Sequence, residues 1–214
     1  MSSAVEQTIS IPKTMRYLVS GNPESSDHLV IVLHGYGQLV RYFIQHFNEL
    51  PTNTCVLAPE GMHHFYLNGT SGRVGASWMT KEARETDILD IQIYLDTLLS
   101  EFLQQHSFNK ITLLGFSQGG ATAARFFDKT AHKIDHLIIW ASDFPSDIAP
   151  SLTSEKYASN QHYFVLGDQD EYFTPDARIQ TFKKFTDLRF TTIEFQGTHT
   201  IDKQTLKDIL KEIE

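Results

Sequence analysis

Cysteine is almost missing from this chain: 214 residues contain one, Cys55. An internal disulfide framework is therefore excluded, and such sparing use fits a reducing compartment. Cys55 lies in the apolar run Thr54-Cys55-Val56-Leu57-Ala58 and reads as buried packing rather than a reactive thiol. No uninterrupted apolar run approaches the ~18 residues that a membrane span needs, so no membrane insertion is expected. Residues 1–6 show no basic stretch followed by an apolar one, so a signal peptide is not expected and a cytoplasmic location is the default. An excess of basic residues is also lacking. The 18 Lys and Arg stand against 26 Asp and Glu, a net charge of −8. That balance argues against a nucleic-acid partner and gives no electrostatic reason to dock on anionic lipid. Gly35-x-Gly37 lacks the third glycine of a dinucleotide fingerprint, and the Gly-x-x-x-x-Gly-Lys-Ser/Thr phosphate loop is absent. The adjacent His63-His64 has no patterned third ligand. No cofactor and no metal are expected.

What is present points to one α/β domain spanning residues 1–214. Hydrophobic residues make up 41% of the chain, enough for a sizeable core at this length. Gln7–Ile11 and Met15–Val19 alternate in the manner of edge strands. His28-Leu29-Val30-Ile31-Val32-Leu33 is continuously apolar after its histidine, as a strand covered on both faces requires. Further strands are expected at Thr54–Ala58, Lys110–Leu114, Asp135–Trp140, His162–Leu166 and Arg189–Phe195. Helices are expected at Val40–Leu50, Lys81–His106, after residue 120, at Pro175–Phe185 and at Asp202–Glu214. The helix over 81–106 carries Ile88, Ile91, Leu95, Leu98 and Phe102 on one stripe. Met62–Ser77, rich in Gly and Asn and without a clean period, reads as a long surface loop. Buried strands alternating with helices imply a mostly parallel sheet with helices on both faces.

In such sheets ligands sit beyond the carboxyl ends of the strands. The residues found there are His34-Gly35-Tyr36-Gly37, Ser117, Ser142-Asp143, Gly167-Asp168-Gln169-Asp170 and Gly197-Thr198-His199. Gly115-x-Ser117-x-Gly119 has the pattern of a nucleophile elbow, a serine on a sharp strand-to-helix turn. A serine hydroxyl is a weak nucleophile and needs a base, for which His199 is the histidine placed after the last strand. A carboxylate behind the imidazole would hold its tautomer, and Asp143, Asp168 and Asp170 all qualify by position. Oxyanion donors are expected from the backbone N–H of Gln118 and, from the loop after the His28–Leu33 strand, of Tyr36. His34 is expected to hydrogen-bond its own loop. Tyr36, Phe65, Tyr66, Trp78, Trp140 and Phe173 form a pool from which an acyl pocket or simply the core could be drawn.

His34-Gly35-Tyr36-Gly37, Ala58-Pro59-Glu60-Gly61, Gly115-Phe116-Ser117-Gln118-Gly119-Gly120, Gly167-Asp168-Gln169-Asp170 and Gly197-Thr198-His199 occur in the order seen in α/β-hydrolases. The chain most resembles the phospholipase/carboxylesterase family, which includes the acyl-protein thioesterases, from about His28 to the C-terminus. The resemblance implies an α/β-hydrolase fold, with Ser117 as nucleophile, Asp170 as acid, His199 as base, and the N–H groups of Tyr36 and Gln118 as oxyanion hole. It implies a carboxylesterase acting on a small-molecule ester or thioester. A lysophospholipase or acyl-protein thioesterase is the alternative, and a non-catalytic binding domain a third reading. The length leaves little room for a separate lid domain. The oligomeric state stays open, a homodimer included. Three positions depart from the family pattern: Glu171 replaces the usual proline after the aspartate, Thr198 the usual glycine before the histidine, and Asp143 the glycine of Ser-Gly.

Overall fold

The computed structural model describes residues 4–148, 155–158 and 161–213. Seven strands form one sheet in the order β1-β3-β2-β6-β7-β8-β9. They are β1 (Tyr17–Ser20), β2 (His28–Leu33), β3 (Thr54–Pro59), β6 (Lys110–Phe116), β7 (His136–Trp140), β8 (Tyr163–Gly167) and β9 (Thr191–Phe195). Only β1 is antiparallel to its neighbour; every other pairing is parallel. Every residue of β2, β3 and β8 is buried. Successive side chains on a strand face opposite ways, so complete burial means that both faces of the sheet are covered.

The cover comes from α1 (Val40–Phe43) with a 3-10 turn over Ile44–Phe47, α2 (Arg84–Gln105), α3 (Gln118–Lys129), α4 (Glu155–Ala158), α5 (Pro175–Asp187) and α6 (Lys203–Glu212). α2 buries Ile91, Leu95, Leu98 and Phe102, four residues of its apolar stripe. α5 begins on Pro175 with Thr174 as N-cap, whose side chain accepts from the Ala177 N–H. Asp202 caps α6 in the same way, through the Thr205 N–H. These side chains satisfy N–H groups that a helix start leaves without partners.

Three expectations change. Gln7–Ile11 forms no strand: alternation needs a sheet edge to bond to, and Tyr17–Ser20 occupies the free edge of β3. The single helix expected over 40–50 is a short α-turn continued as 3-10. The segment 62–77 is not an unstructured loop but a hairpin, β4 (His63–Tyr66) against β5 (Val74–Ser77), with Tyr66 opposite Val74. Glu214, assigned above to the last helix, lies outside the described residues.

Candidate active site

The end of β6 and the start of α3 bracket Ser117, which takes φ 53 and ψ −122. A non-glycine residue in that region is strained by roughly 1–3 kcal/mol and persists only where its surroundings hold it. Two backbone bonds do so here: the Ser117 N–H donates to Trp140 O at 2.8 Å, and the Gly120 N–H to Ser117 O at 2.8 Å. The turn closes so tightly that a Cβ on Gly119 would lie 2.2 Å from Leu33 O, and one on Gly115 2.2 Å from Gly119 O. The glycines flanking the serine are thus required by space.

His199 follows β9, and its Nδ1 lies 2.7 Å from Asp170 Oδ2. Against an ionised carboxylate the Nδ1 carries the proton, which leaves the Nε2 lone pair free to accept one. The Asp170 side chain is fully shielded and that of His199 is 14% exposed. The other carboxylate oxygen of Asp170 accepts the Tyr172 N–H at 3.0 Å. The imidazole also packs against Phe116 at 4.8 Å and Tyr172 at 4.4 Å between centroids. Phe116 directly precedes Ser117, so the histidine sits at the elbow. Trp140 at the end of β7 donates its indole N–H to Thr200 O at 2.9 Å and pins the histidine's loop to the sheet.

The other two carboxylates are engaged elsewhere. Asp168 Oδ1 accepts the Gly197 N–H at 2.8 Å, joining the loops after β8 and β9. Asp143 pairs with Lys184 at 3.1 Å and is largely exposed. Of the three, Asp170 is the one that the fold brings to His199.

The backbone N–H groups of Tyr36 and Gln118 have no hydrogen-bond partner among the described residues. Gln118 is the first residue of α3, where helix N–H groups are left free and favour negative charge. The Tyr36 loop is fixed on both sides: the Gly35 N–H donates to Gln38 Oε1 at 2.8 Å, and the Gly37 N–H to Ala76 O at 2.8 Å. β5 thereby braces the loop after β2, a role that the sequence pattern of the hairpin did not reveal. The Gln118 side chain was also unanticipated. Its Oε1 accepts the Trp78 N–H at 3.0 Å, and its Nε2 donates to Met79 O at 2.8 Å and Ser77 Oγ at 3.0 Å.

His34 is fully buried and accepts the Gly61 N–H on Nε2 at 2.9 Å, while its Nδ1 donates to Gly35 O at 2.8 Å. Burial lowers its pKa to about 4, so it is a neutral part of its own loop. Glu60, also buried, accepts from Arg16, from His64 at 2.7 Å and from the Val40 N–H at 2.8 Å. Burial alone would raise its pKa, but these three donors outweigh it and hold the group below the usual value. His63 approaches Asp87 at 3.1 Å. The two adjacent histidines thus face separate carboxylates, and the described residues hold no group of three or more potential metal ligands. No helix among them is long and apolar enough to cross a membrane.

Comparison with known proteins bears on this geometry. The model of the alpha/beta hydrolase fold family matches residues 87–195, just over half of the chain. Among solved structures the chain is similar to esterase PE8, at 22% identity, with a TM-score of 0.67 over 94% of this chain and 100% of that one. It is similar to acyl-protein thioesterase 2 of Zea mays, at 14% identity and a TM-score of 0.71, covering 92% of this chain and 97% of that one. It is similar also to a carboxylesterase from Mesorhizobium loti, at 15% identity and a TM-score of 0.74, covering 92% and 94%. Likeness at these identities is likeness of fold, and it extends over nearly whole chains, with no separate lid domain among the described residues. No curated protein matches the sequence. By its family match and its sheet, the chain belongs to the alpha/beta hydrolases.

Proposed function

We propose that this hydrolase cleaves carboxylic esters through an acyl-enzyme formed on Ser117. The observation that carries the reading is the 2.7 Å contact between His199 Nδ1 and Asp170 Oδ2 beside the elbow. In this mechanism Ser117 Oγ attacks the ester carbonyl while its proton passes to His199 Nε2. Asp170, kept from solvent, stabilises the imidazolium and fixes the tautomer. The carbonyl oxygen takes up the negative charge and is met by the N–H groups of Tyr36 and Gln118; losing one such donor typically costs about 3–4 kcal/mol of barrier. Collapse breaks the bond to the alcohol oxygen, which leaves with the proton from His199. Water then repeats the sequence on the acyl-enzyme, with His199 as base, and releases the acid.

The fold likeness to an acyl-protein thioesterase supports a second reading, with the same residues acting on thioesters or on long acyl chains. Rates on p-nitrophenyl esters of rising chain length separate the two. An optimum between acetate and hexanoate is expected; a steady rise to palmitate would favour the long-chain reading, and no hydrolysis of any would count against both.

A further inference from the structure

A groove of about 820 Å³ opens directly beside the proposed oxyanion loop. It starts at Gly37, one residue after Tyr36, and runs past Arg41, Tyr42, Phe43 and His46 to Arg73 on the hairpin. Two contacts tie it to the reactive end of the sheet. The Phe43 ring packs on Phe116 at 6.0 Å, the residue before Ser117, and Gly37 is bonded to β5 through Ala76.

The charge of this groove is unlike that of the molecule. The chain carries −8 overall, yet no aspartate or glutamate lines the groove while two arginines do. Of the five other arginines, Arg84 and Arg189 have no ion pair among the described residues and line no part of this groove, while Arg16 has Glu60, Arg125 has Asp147 and Arg178 has Glu194 as carboxylate partners. The guanidinium groups of Arg41 and Arg73 have none among the described residues. Arg41 instead lies over the Tyr42 ring, 4.9 Å from its centroid, which holds the planar group while leaving its N–H fork available. Burial and nearby Lys203 lower the pKa of His46, so near neutrality it offers a neutral imidazole. One unpaired surface arginine would mean little. Two on different elements, lining one groove beside the loop that carries Tyr36, can offer N–H donors to a planar or tetrahedral oxyanion from two sides.

We infer that the groove binds a carboxylate or phosphate carried by the ester substrate, with Arg41 and Arg73 as its ligands. The inference rests on the reading of Ser117 as the nucleophile. It makes the preferred substrates anionic esters and leaves plain neutral esters as poorer ones.

The test compares kcat/KM on two matched pairs. Mono-4-nitrophenyl glutarate against 4-nitrophenyl pentanoate places the charge on the acyl side. 4-Acetoxybenzoate against its methyl ester places it on the leaving group. In at least one pair the wild-type ratio of anionic to neutral ester should exceed that of the R41Q/R73Q variant by about tenfold, as expected when charge-assisted hydrogen bonds are lost. It should shrink as salt is raised. Equal ratios for wild type and variant in both pairs would overturn the inference. A separate titration with inorganic phosphate, followed at the amide signals of Gly37 and Gln38 in the groove, needs no catalysis. Saturable shifts are expected in the wild type and none in the variant. If wild type hydrolyses none of the four esters, the esterase reading fails, and the phosphate titration alone decides whether the groove binds anions.

Discussion

Tyr172 touches both members of the carboxylate–imidazole pair: its ring lies 4.4 Å from that of His199, and its N–H donates to Asp170 Oδ1 at 3.0 Å. The ring itself is largely exposed, at 73% for the residue. It therefore adds little to the core, and in the proposed mechanism it serves to position the imidazole. Tyr172→Ala keeps the backbone bond and removes the ring contact, which is worth about 0.5–1.5 kcal/mol for an aromatic pair. The expected result is a kcat lower by roughly 3- to 10-fold with KM little changed and the melting temperature preserved, and Tyr172→Phe should restore the rate. An unchanged kcat in the alanine variant would remove this role.

In the proposed mechanism Gln118 combines two tasks in one residue: its backbone N–H would meet the oxyanion, while its side chain holds Ser77, Trp78 and Met79 at the end of the hairpin. Gln118→Ala leaves the first intact and the second undone, with the Trp78 N–H deprived of its acceptor. A loss of about 2–3 kcal/mol in stability is expected, read from urea denaturation, together with a fall in kcat because β5 braces the Tyr36 loop. Wild-type stability in this variant would show that the staple is redundant.

The parallel sheet was legible because β2, β3 and β8 are buried on both faces and hence read as unbroken apolar runs. The hairpin was not. Its strands are four residues each, Gly75 interrupts one of them, and what holds them is contact with Gly37 and Gln38, far away in sequence. Gln7–Ile11 misled in the opposite direction, since its alternation has no edge to serve. At the site, residue types and their order were plain, but position alone left Asp143, Asp168 and Asp170 open, and only the family resemblance pointed to Asp170. Asp168 and Asp170 lie in the same turn, and which one meets His199 depends on the angle at which the loop after β9 returns. The Tyr172 contact and the Gln118 staple left no sequence signature at all.

Three buried histidines set an acid limit to stability. Burial is the main cause that lowers the pKa of His28, His34 and His162 to about 4, from 6.5. The unfolded chain takes up these protons near pH 6.5, while the folded chain resists until near pH 4. The unfolded state therefore binds more protons within that window, and stability falls as the pH drops through it. Each histidine contributes a slope of up to ~1.4 kcal/mol per pH unit. Protonation would also sever the bonds that His34 accepts from the Gly61 N–H and His162 from the Leu137 N–H. Melting temperatures should be level above pH 7 and fall steadily from 6.5 towards 4. A flat profile over that range would contradict the buried neutral state of these rings.

The central claim concerns Ser117, and covalent labelling tests it most directly. A fluorophosphonate probe should label the wild-type chain, and Ser117→Ala should abolish the labelling while the protein still unfolds in one cooperative transition. Labelling that persists in Ser117→Ala would place the nucleophile elsewhere, and a wild-type chain left unlabelled beside a reactive control hydrolase would contradict the account outright.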